Sequence, residues 1–397
     1  MMLTGTRSGL EASTSKSAAP QFTRPTASRL RTQRATICAA SSAASPVTRL
    51  EGQGKSLTLT PQTSAQTSTS ASSMSLEQAK SFLQGELATI FNTGRLDTAR
   101  YADDFKFQDP TFKQNSIRGF QQNLTLLRSL FSIKFIVHNI KVQEPAEVTS
   151  RWTMELKPKL VPWQPKIVVT GESIYTVDQI SGKIQSQRDV WDSISDNNYL
   201  SLEGLAYILG SLANPQQTPN LEMPKYTVLK RAAEYEVRQY SRYIVAETAM
   251  PRSSGAAAGT GFNELAGFIF GGNDRRARME MTAPVISNAG QASEQNPTMQ
   301  FVMEERLGSS AEDLPNPNDA RVTRRAEEGG TVASISFSGI PLDFEVTGAE
   351  RRLRAALLLD GLNPQPGYKL ARYNDPFTLP FLRRNEVLIK LDEFELP

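Results

Sequence analysis

Four runs of strand length, Ile133 to Val142, Val148 to Leu156, Ile167 to Val177 and Ile184 to Ile194, follow one another with no helical run between them. A short Ser181-Gly182 turn joins the last two. Two helical patterns stand ahead of them. Ser75 and Gln78 form a capping-box pair before Leu76, Ala79, Phe82, Leu83, Leu87, Ile90 and Phe91, which recur at helical spacing up to Gly94. A second helix runs from about Gly119 to Phe131, with Phe120, Leu124, Leu127 and Phe131 on one stripe. Helices followed by consecutive strands predict an α+β domain with helices on one face of an antiparallel sheet. A third helix, about Leu200 to Leu212, leads into Asn214-Pro-Gln-Gln-Thr-Pro-Asn220, a run of turn formers. These features predict an ordered domain over 75–212 and a linker over 213–224.

The remaining residues, 225–397, alternate differently. Strand runs at Tyr226 to Leu229, Tyr235 to Tyr240 and Tyr243 to Thr248 precede a helix from about Gly261 to Phe270, closed by Gly271-Gly-Asn273. Strands at Met279 to Ile286, Met299 to Glu304 and Thr331 to Ser338 come next. A second helix follows from about Gly348 to Leu359 with a Gly361 stop, then strands at Tyr368 to Tyr373 and Glu386 to Phe394. Strands, one helix and strands, twice over, predict an approximate twofold repeat of a βαββ unit.

Composition removes several chemistries. The 397 residues hold one His and one Cys, too few for a disulfide framework, a Cys/His zinc cage, a two-His metal motif or a thiolate–imidazole pair. No window approaches 18 consecutive apolar residues, so no transmembrane helix is expected. The formal charge of +3 is uneven. Residues 1–73 hold eight basic, two acidic and 27 Ser or Thr residues, which leaves the rest of the chain at −3. A Ser/Thr-rich, acid-poor, Arg-bearing leader without an apolar block has the character of an organelle transit peptide. Ala35-Thr-Ile-Cys-Ala-Ala40 resembles a chloroplast processing site. A disordered, low-complexity N-terminus is the alternative. A slightly acidic remainder without a basic stripe speaks against nucleic-acid binding.

Several separated motifs carry a resemblance. Tyr235-Glu-Val-Arg-Gln-Tyr240, Gly271-Gly-Asn273, Met279-Glu-Met-Thr-Ala-Pro-Val285, Ala371-Arg-Tyr-Asn-Asp-Pro376 and Pro380-Phe-Leu-Arg-Arg-Asn-Glu-Val387 resemble, in order, the SOUL heme-binding protein family over about Tyr226 to Glu395. Upstream, Tyr101-Ala-Asp-Asp104, Phe107-Gln-Asp-Pro110, Pro162-Trp163, Gly171 and Asp189-Val-Trp-Asp-Ser193 resemble an uncharacterised plant and algal domain of NTF2-like character. The first resemblance implies a twisted, barrel-like antiparallel sheet with two helices and a tetrapyrrole, heme or another porphyrin, in a surface cleft beside the first helix. The second implies helices on a curved antiparallel sheet. Together they imply a chloroplast protein of the stroma, thylakoid surface, plastoglobule or eyespot, binding tetrapyrrole for trafficking or buffering and not an enzyme. An alternative is a plastid protein or lipid-surface partner meeting the same apolar cleft.

Phe262, Leu265, Ala266, Phe268, Ile269 and Phe270 make the first helix of that region apolar over more than one face. A flat macrocycle needs such a surface, and a domain core uses the same residues. Phe377, Leu379 and Phe381 stand where the family places the opposite lip. Arg275, Arg276 and Arg278, with Arg383 and Arg384 across the cleft, are the cations that propionates require. Axial ligation is the open point. The only histidine, His138, lies in the upstream domain, which leaves Met279, Met281, Tyr226 or another side chain as a weak ligand, or none, and the two methionines alternate with Glu280 as core-facing strand residues would. The enzyme alternative rests on Asp103, Asp104 and Asp109 at the mouth of an NTF2-like pocket, where a desolvated Asp acts as a base and a turn-forming Asp does not.

Overall fold

The structure, a computed structural model, describes residues 67–214, 216, 218–250, 256–288 and 297–396. Residues 1–66 of the leader, with Cys38, lie outside the described residues, and its last seven residues, 67–73, belong to a helix. Helix α1 spans Thr67–Leu87, two turns earlier than the Ser75 cap predicts, and α2 is a single turn at Ile90–Thr93. Strands β1 (Tyr101–Gln108) and β2 (Lys113–Gln114) precede α3 (Ile117–Leu130), capped by Ser116 Oγ on the Gly119 amide. Four long strands follow, β3 (Phe131–Gln143), β4 (Glu147–Pro158), β5 (Ile167–Val177) and β6 (Ile184–Trp191), and then α4 (Leu202–Ala213). Their order is β2-β1-β6-β5-β4-β3. Pairing is antiparallel except between β1 and β6. Helices α1 and α3 bury Leu76, Leu83, Phe120 and Leu124 against Phe105, Val148 and Tyr175 of the sheet. This is the α+β arrangement of helices on a curved sheet that the sequence predicts.

The second region begins with β7 (Tyr226–Arg231), β8 (Glu236–Tyr240) and β9 (Tyr243–Ala249), followed by α5 (Ala256–Ile269), β10 (Val285–Asn288) and β11 (Thr298–Val302). Then come β12 (Val322–Glu327), β13 (Gly330–Phe337), α6 (Asp343–Leu359), β14 (Asn363–Pro364), β15 (Lys369–Arg372) and β16 (Asn385–Asp392). The sheet order is β12-β9-β11-β10-β15-β16-β13-β8-β7. From β12 to β8 this order is symmetric about the β10–β15 pair, because β8-β9-α5-β10-β11 and β12-β13-α6-β15-β16 are equivalent runs. The leading strand of each run crosses to the other half: β8 pairs with β13, and β12 with β9. The expected repeat is therefore present, in strand-exchanged form.

Two departures have local causes. The Met279 strand starts only at Val285, because Glu280 N, Ala283 N and Thr282 Oγ1 bond to Glu304, Glu222 and Val302 outside any ladder. Strand β12 carries Arg324, Arg325 and Glu327, and its charges are paired by residues far away in sequence, including Glu247 and Lys369.

Candidate functional site

Both helices of the second region lie on one face of its sheet. Residues paired across a sheet point to the same side. One such row runs Met299, Ser287, Leu370, Val387, Ile335, and the next runs Ala246, Phe301, Val285, Arg372, Asn385, Phe337. At one end of these rows α5 packs Leu265, Phe268 and Ile269 over Ala246, Met299 and Phe301. At the other, α6 packs Val346, Leu353 and Leu357 over Ile335, Leu370 and Val387. Strands β10 and β15 lie between the helices and carry Val285, Ser287, Leu370 and Arg372 on this face, a strip we call the trough, in which Ser287 and Leu370 are buried and Val285 and Arg372 half-buried.

The turn after α5 is built by the Gly271-Gly-Asn273 motif. Gly271 takes φ +110°, and a Cβ on Gly272 would lie 2.6 Å from the Gly267 carbonyl oxygen. Asn273 donates from Nδ2 to the Phe268 and Ala277 carbonyls at 3.0 and 2.8 Å and accepts from the Ala277 amide at 2.9 Å. The motif is thus a structural clasp that presents Arg275, Arg276 and Arg278 to solvent. Arg275 donates to the Asp313 carbonyl at 3.1 Å. The side chains of Arg276 and Arg278 have no partner among the described residues.

The predicted cleft helix divides. Leu265, Phe268 and Ile269 are core residues, fully or almost fully buried, and do not face a ligand. Truncating any of them would cost about 2–5 kcal/mol of stability. Phe262 and Phe270, with Ala266 between them at helical spacing, form the outward stripe. Phe270 is 58% exposed, and Phe262 packs edge-on against Phe301 at 5.2 Å. Met279 is likewise buried in the core, with Met281 half-buried against the same cluster, so the alternating core reading holds for both.

The opposite lip is the loop between β15 and β16. Phe377, Leu379 and Phe381 are all exposed, Phe377 at 95%. Arg383 does not point into the cleft, because its guanidinium donates to the Thr378 and Pro376 carbonyls and holds this loop. Arg384 is also a correction. It donates to Glu386 Oε1 at 2.6 and 3.0 Å, lies over the Tyr373 ring and reaches Thr218, all on the face opposite the helices. The lip is tied to the β13–α6 connection, where the Gly339 amide donates to the Pro380 carbonyl and Asn385 Nδ2 to the Gly339 carbonyl. That connection exposes Ile340 and Leu342, and the first turn of α6 exposes Phe344, which extend the apolar rim beyond the residues that the sequence singles out.

The residue that sequence reasoning missed is Arg372. It sits in the row between Val285 and Asn385, half-buried on the trough floor, and its guanidinium donates to Ser287 Oγ. Among the described residues no carboxylate pairs with it, and burial holds its pKa below the ordinary arginine value. A half-buried guanidinium without a counter-charge is a ready acceptor of an anionic ligand group. Its only sequence signal was its place in the Ala371-Arg-Tyr motif.

In the first region Asp103 and Asp104 are exposed on β1, and Asp109 closes its own turn by accepting from the Thr111 and Phe112 amides. Asp109 therefore serves as a turn former. The buried carboxyl network lies elsewhere. Trp152 Nε1 donates to Ser173 Oγ at 2.9 Å, Ser173 donates to Asp189 at 2.6 Å, and Gln187 Nε2 donates to Asp189 at 2.9 Å. Burial raises the Asp189 pKa to about 7. His138 bonds through Nε2 to Thr153 Oγ1 at 2.8 Å and lies on the other sheet from the trough. No group of three or more His, Cys, Asp or Glu side chains converges as a metal site among the described residues, and no described helix is long and apolar enough to cross a membrane.

Two stretches of the chain match known families. Residues 221–390 match the SOUL heme-binding protein family, and residues 77–186 match the family described as uncharacterized conserved protein (DUF2358). Heme-binding protein 1 of Xenopus laevis is 28% identical over 163 residues, 40% of this chain and 84% of the relative. Among solved structures, an NTF2-like protein of unknown function from Exiguobacterium sp. 255-15 is 14% identical with a TM-score of 0.22, covering 32% of this chain and all of that one. A polyketide cyclase-like protein from Xanthomonas campestris pv. campestris is 15% identical with a TM-score of 0.26, covering 35% and 99%. The chain therefore carries a domain of the SOUL heme-binding protein family at residues 221–390, preceded at residues 77–186 by a domain of the family DUF2358.

Proposed function

We propose that this protein binds heme or a related tetrapyrrole reversibly in the trough between α5 and α6, as a carrier or buffer and not as an enzyme. The observation that carries the reading is Arg372, a half-buried cation without a carboxylate among the described residues, in the same row as Phe301, against which the exposed ring of Phe262 packs. The ring offers apolar area to the macrocycle, and Arg372, with Arg276 and Arg278 at the rim, offers guanidinium forks to propionates. These residues fit a porphyrin edge and face. They do not include an imidazole, and Met279 is committed to the core, so affinity rests on apolar burial and ion pairing. Bound heme would supply a metal centre without an imidazole ligand from this domain. In this reading the protein works in the plastid, to which the Ser/Thr-rich leader directs it.

Hemin and protoporphyrin IX titrated into the full chain test the reading. Both should bind, with affinities within about tenfold of each other, and His138→Ala should leave the hemin Soret band unchanged. Failure of both ligands to bind would end it. A reporter carrying residues 1–73 should enter plastids.

A second reading is favoured by the rim of Ile340, Leu342, Phe344, Phe377, Leu379 and Phe381, six exposed apolar side chains on two tied loops and the first turn of α6. Such a rim suits a lipid-particle surface. Flotation with galactolipid vesicles that is lost on Phe377→Ser with Phe381→Ser would support it.

A further inference from the structure

The face of the ten-stranded sheet away from both helices holds a separate cavity of about 300 Å3. That volume lies at the lower end of the range of small-molecule sites, roughly 300–1,000 Å3. One wall is a ladder of three tyrosines. The Tyr226 and Tyr240 rings lie 5.0 Å apart, and those of Tyr240 and Tyr243 lie 6.4 Å apart. Ile286, Val332 and Leu388 add apolar surface. The cavity does not communicate with the trough through the sheet: Ile286 and Leu388 alternate along β10 and β16 with the trough-side Val285, Ser287 and Val387.

The polar groups in this cavity point to a ligand class. Glu327 is its one lining carboxylate, and it already accepts from Lys369 Nζ at 2.7 Å and Arg325 Nη2 at 2.8 Å. Burial would raise its pKa, but these cations outweigh burial and hold it below the usual range. Lys390 also lines the cavity and forms no ion pair among the described residues. Arg325 also pairs with Glu247 behind the lining, so of the three lining cations Lys390 is the one left without a counter-charge among the described residues. The hydroxyls of Tyr226, Tyr243 and Tyr368 make no hydrogen bond among the described residues, so three donors stand ready beside that surplus positive charge. Flat aromatic walls, free hydroxyl donors and an unpaired ammonium fit a small planar ring bearing one acidic group.

We infer that this cavity is a second binding site, independent of the trough, for a small aromatic monoanion such as an aryl carboxylate or a phenolate. The apolar walls take the ring, and Lys390 with the tyrosine hydroxyls takes the acid.

Calorimetric titration of 2-naphthoate into the full chain, with neutral 2-naphthol as the comparison, tests this. The expected result is saturable one-to-one binding of 2-naphthoate. Val332→Trp, which fills the cavity, should weaken it at least tenfold while leaving the hemin titration within twofold of the parent. Lys390→Gln should weaken 2-naphthoate about fivefold and leave 2-naphthol within twofold. No saturable binding to the parent, an unchanged Val332→Trp variant, or displacement of 2-naphthoate by one equivalent of hemin would each overturn the inference. Should Val332→Trp fail to fold, Lys390→Glu on an exposed side chain decides: retained 2-naphthoate affinity overturns the site, and its loss with 2-naphthol binding kept supports it. Because hemin is scored separately, failure here leaves the tetrapyrrole reading standing.

Discussion

Thr153 Oγ1 donates to the Val228 carbonyl at 2.6 Å, a bond from β4 of the six-stranded sheet to β7 of the ten-stranded one. Having spent its proton there, Thr153 accepts from His138, which fixes the imidazole hydrogen on Nε2. The Thr170 hydroxyl adds a second link by accepting from the Arg231 amide at 2.6 Å. The lone histidine is thus part of the junction between the two domains. Thr153→Val should leave the Val228 carbonyl short of a donor and lower stability by about 1–3 kcal/mol. In thermal unfolding the parent should melt in one transition, which the variant broadens or splits. Burial and the nearby Arg151 hold the His138 pKa below 6.5. The folded protein therefore favours neutral imidazole more than the unfolded chain does. This stabilisation is present above about pH 6.5 and fades as pH falls through the lower folded value. His138→Gln should flatten that acid-side loss in urea melts.

Arg372→Leu separates binding from stability. The guanidinium sits half-buried with a serine hydroxyl and no carboxylate, so its removal should leave the ligand-free protein as stable as the parent or slightly more so. Porphyrin binding should weaken about 10- to 100-fold, the worth of a charge-assisted hydrogen bond of about 1.5–3 kcal/mol. A variant with lower stability and unchanged porphyrin affinity would show Arg372 to be structural.

Glu386 is fully buried between Arg238, at 2.7 and 2.9 Å, and Arg384, and also accepts from the Tyr373 hydroxyl at 2.7 Å. Burial alone would raise its pKa, but the two guanidinium groups push it far below the carboxylate range. Glu386→Ala strands Arg384 and leaves Arg238 with Glu236 alone, and should cost about 3–5 kcal/mol. The pH dependence has the opposite sense to that of a carboxyl raised by burial. Stability from Glu386 is complete above pH 4.5, the unfolded value, and is lost only on strong acidification. Denaturant midpoints between pH 2 and 5 check it.

Asp189 works the other way. Its pKa rises from 3.8 to about 7 through burial, so the folded state prefers the protonated acid. The stability tied to that proton is present below pH 3.8 and is lost as pH rises toward 7. Asp189→Asn keeps an acceptor for Ser173 and carries no charge. It should raise stability at pH 8 and remove the decline between pH 4 and 7, as read by urea unfolding.

The long strands β3 to β6 were legible because alternation of apolar and polar residues is a local signal. Strand β1 was not legible in that way: Tyr101, Phe105 and Phe107 face the core, but Asp103, at the same two-residue spacing, faces water, because the pairing register slips between Tyr101 and Lys106. Strand β12 was hidden because its arginines and Glu327 are satisfied by partners that only the fold brings near. The excess of aromatics on α5 was visible, but its split into buried Phe268 and exposed Phe270 depends on which strands lie beneath. Arg372 could not be found from sequence, because a cation is isolated only by what its neighbouring strands omit. His138 occupies a bulge between Val137 and Asn139, where the pairing register slips, so its direction could not be read from alternation along the strand.

The trough floor is also the axis of the internal repeat. Strands β10 and β15 meet there over only four residue pairs, Val285–Arg372 to Asn288–Lys369, while β8 and β12 are each lent to the opposite half. The two halves are clasped at their outer strands and joined by a narrow seam at the centre. A macrocycle lying across α5, Arg372 and the Phe377 loop would touch both halves and act as a rivet over that seam. Its binding should therefore register as slower hydrogen exchange in β10 and β15 together, a tightening of the whole domain and not of one loop.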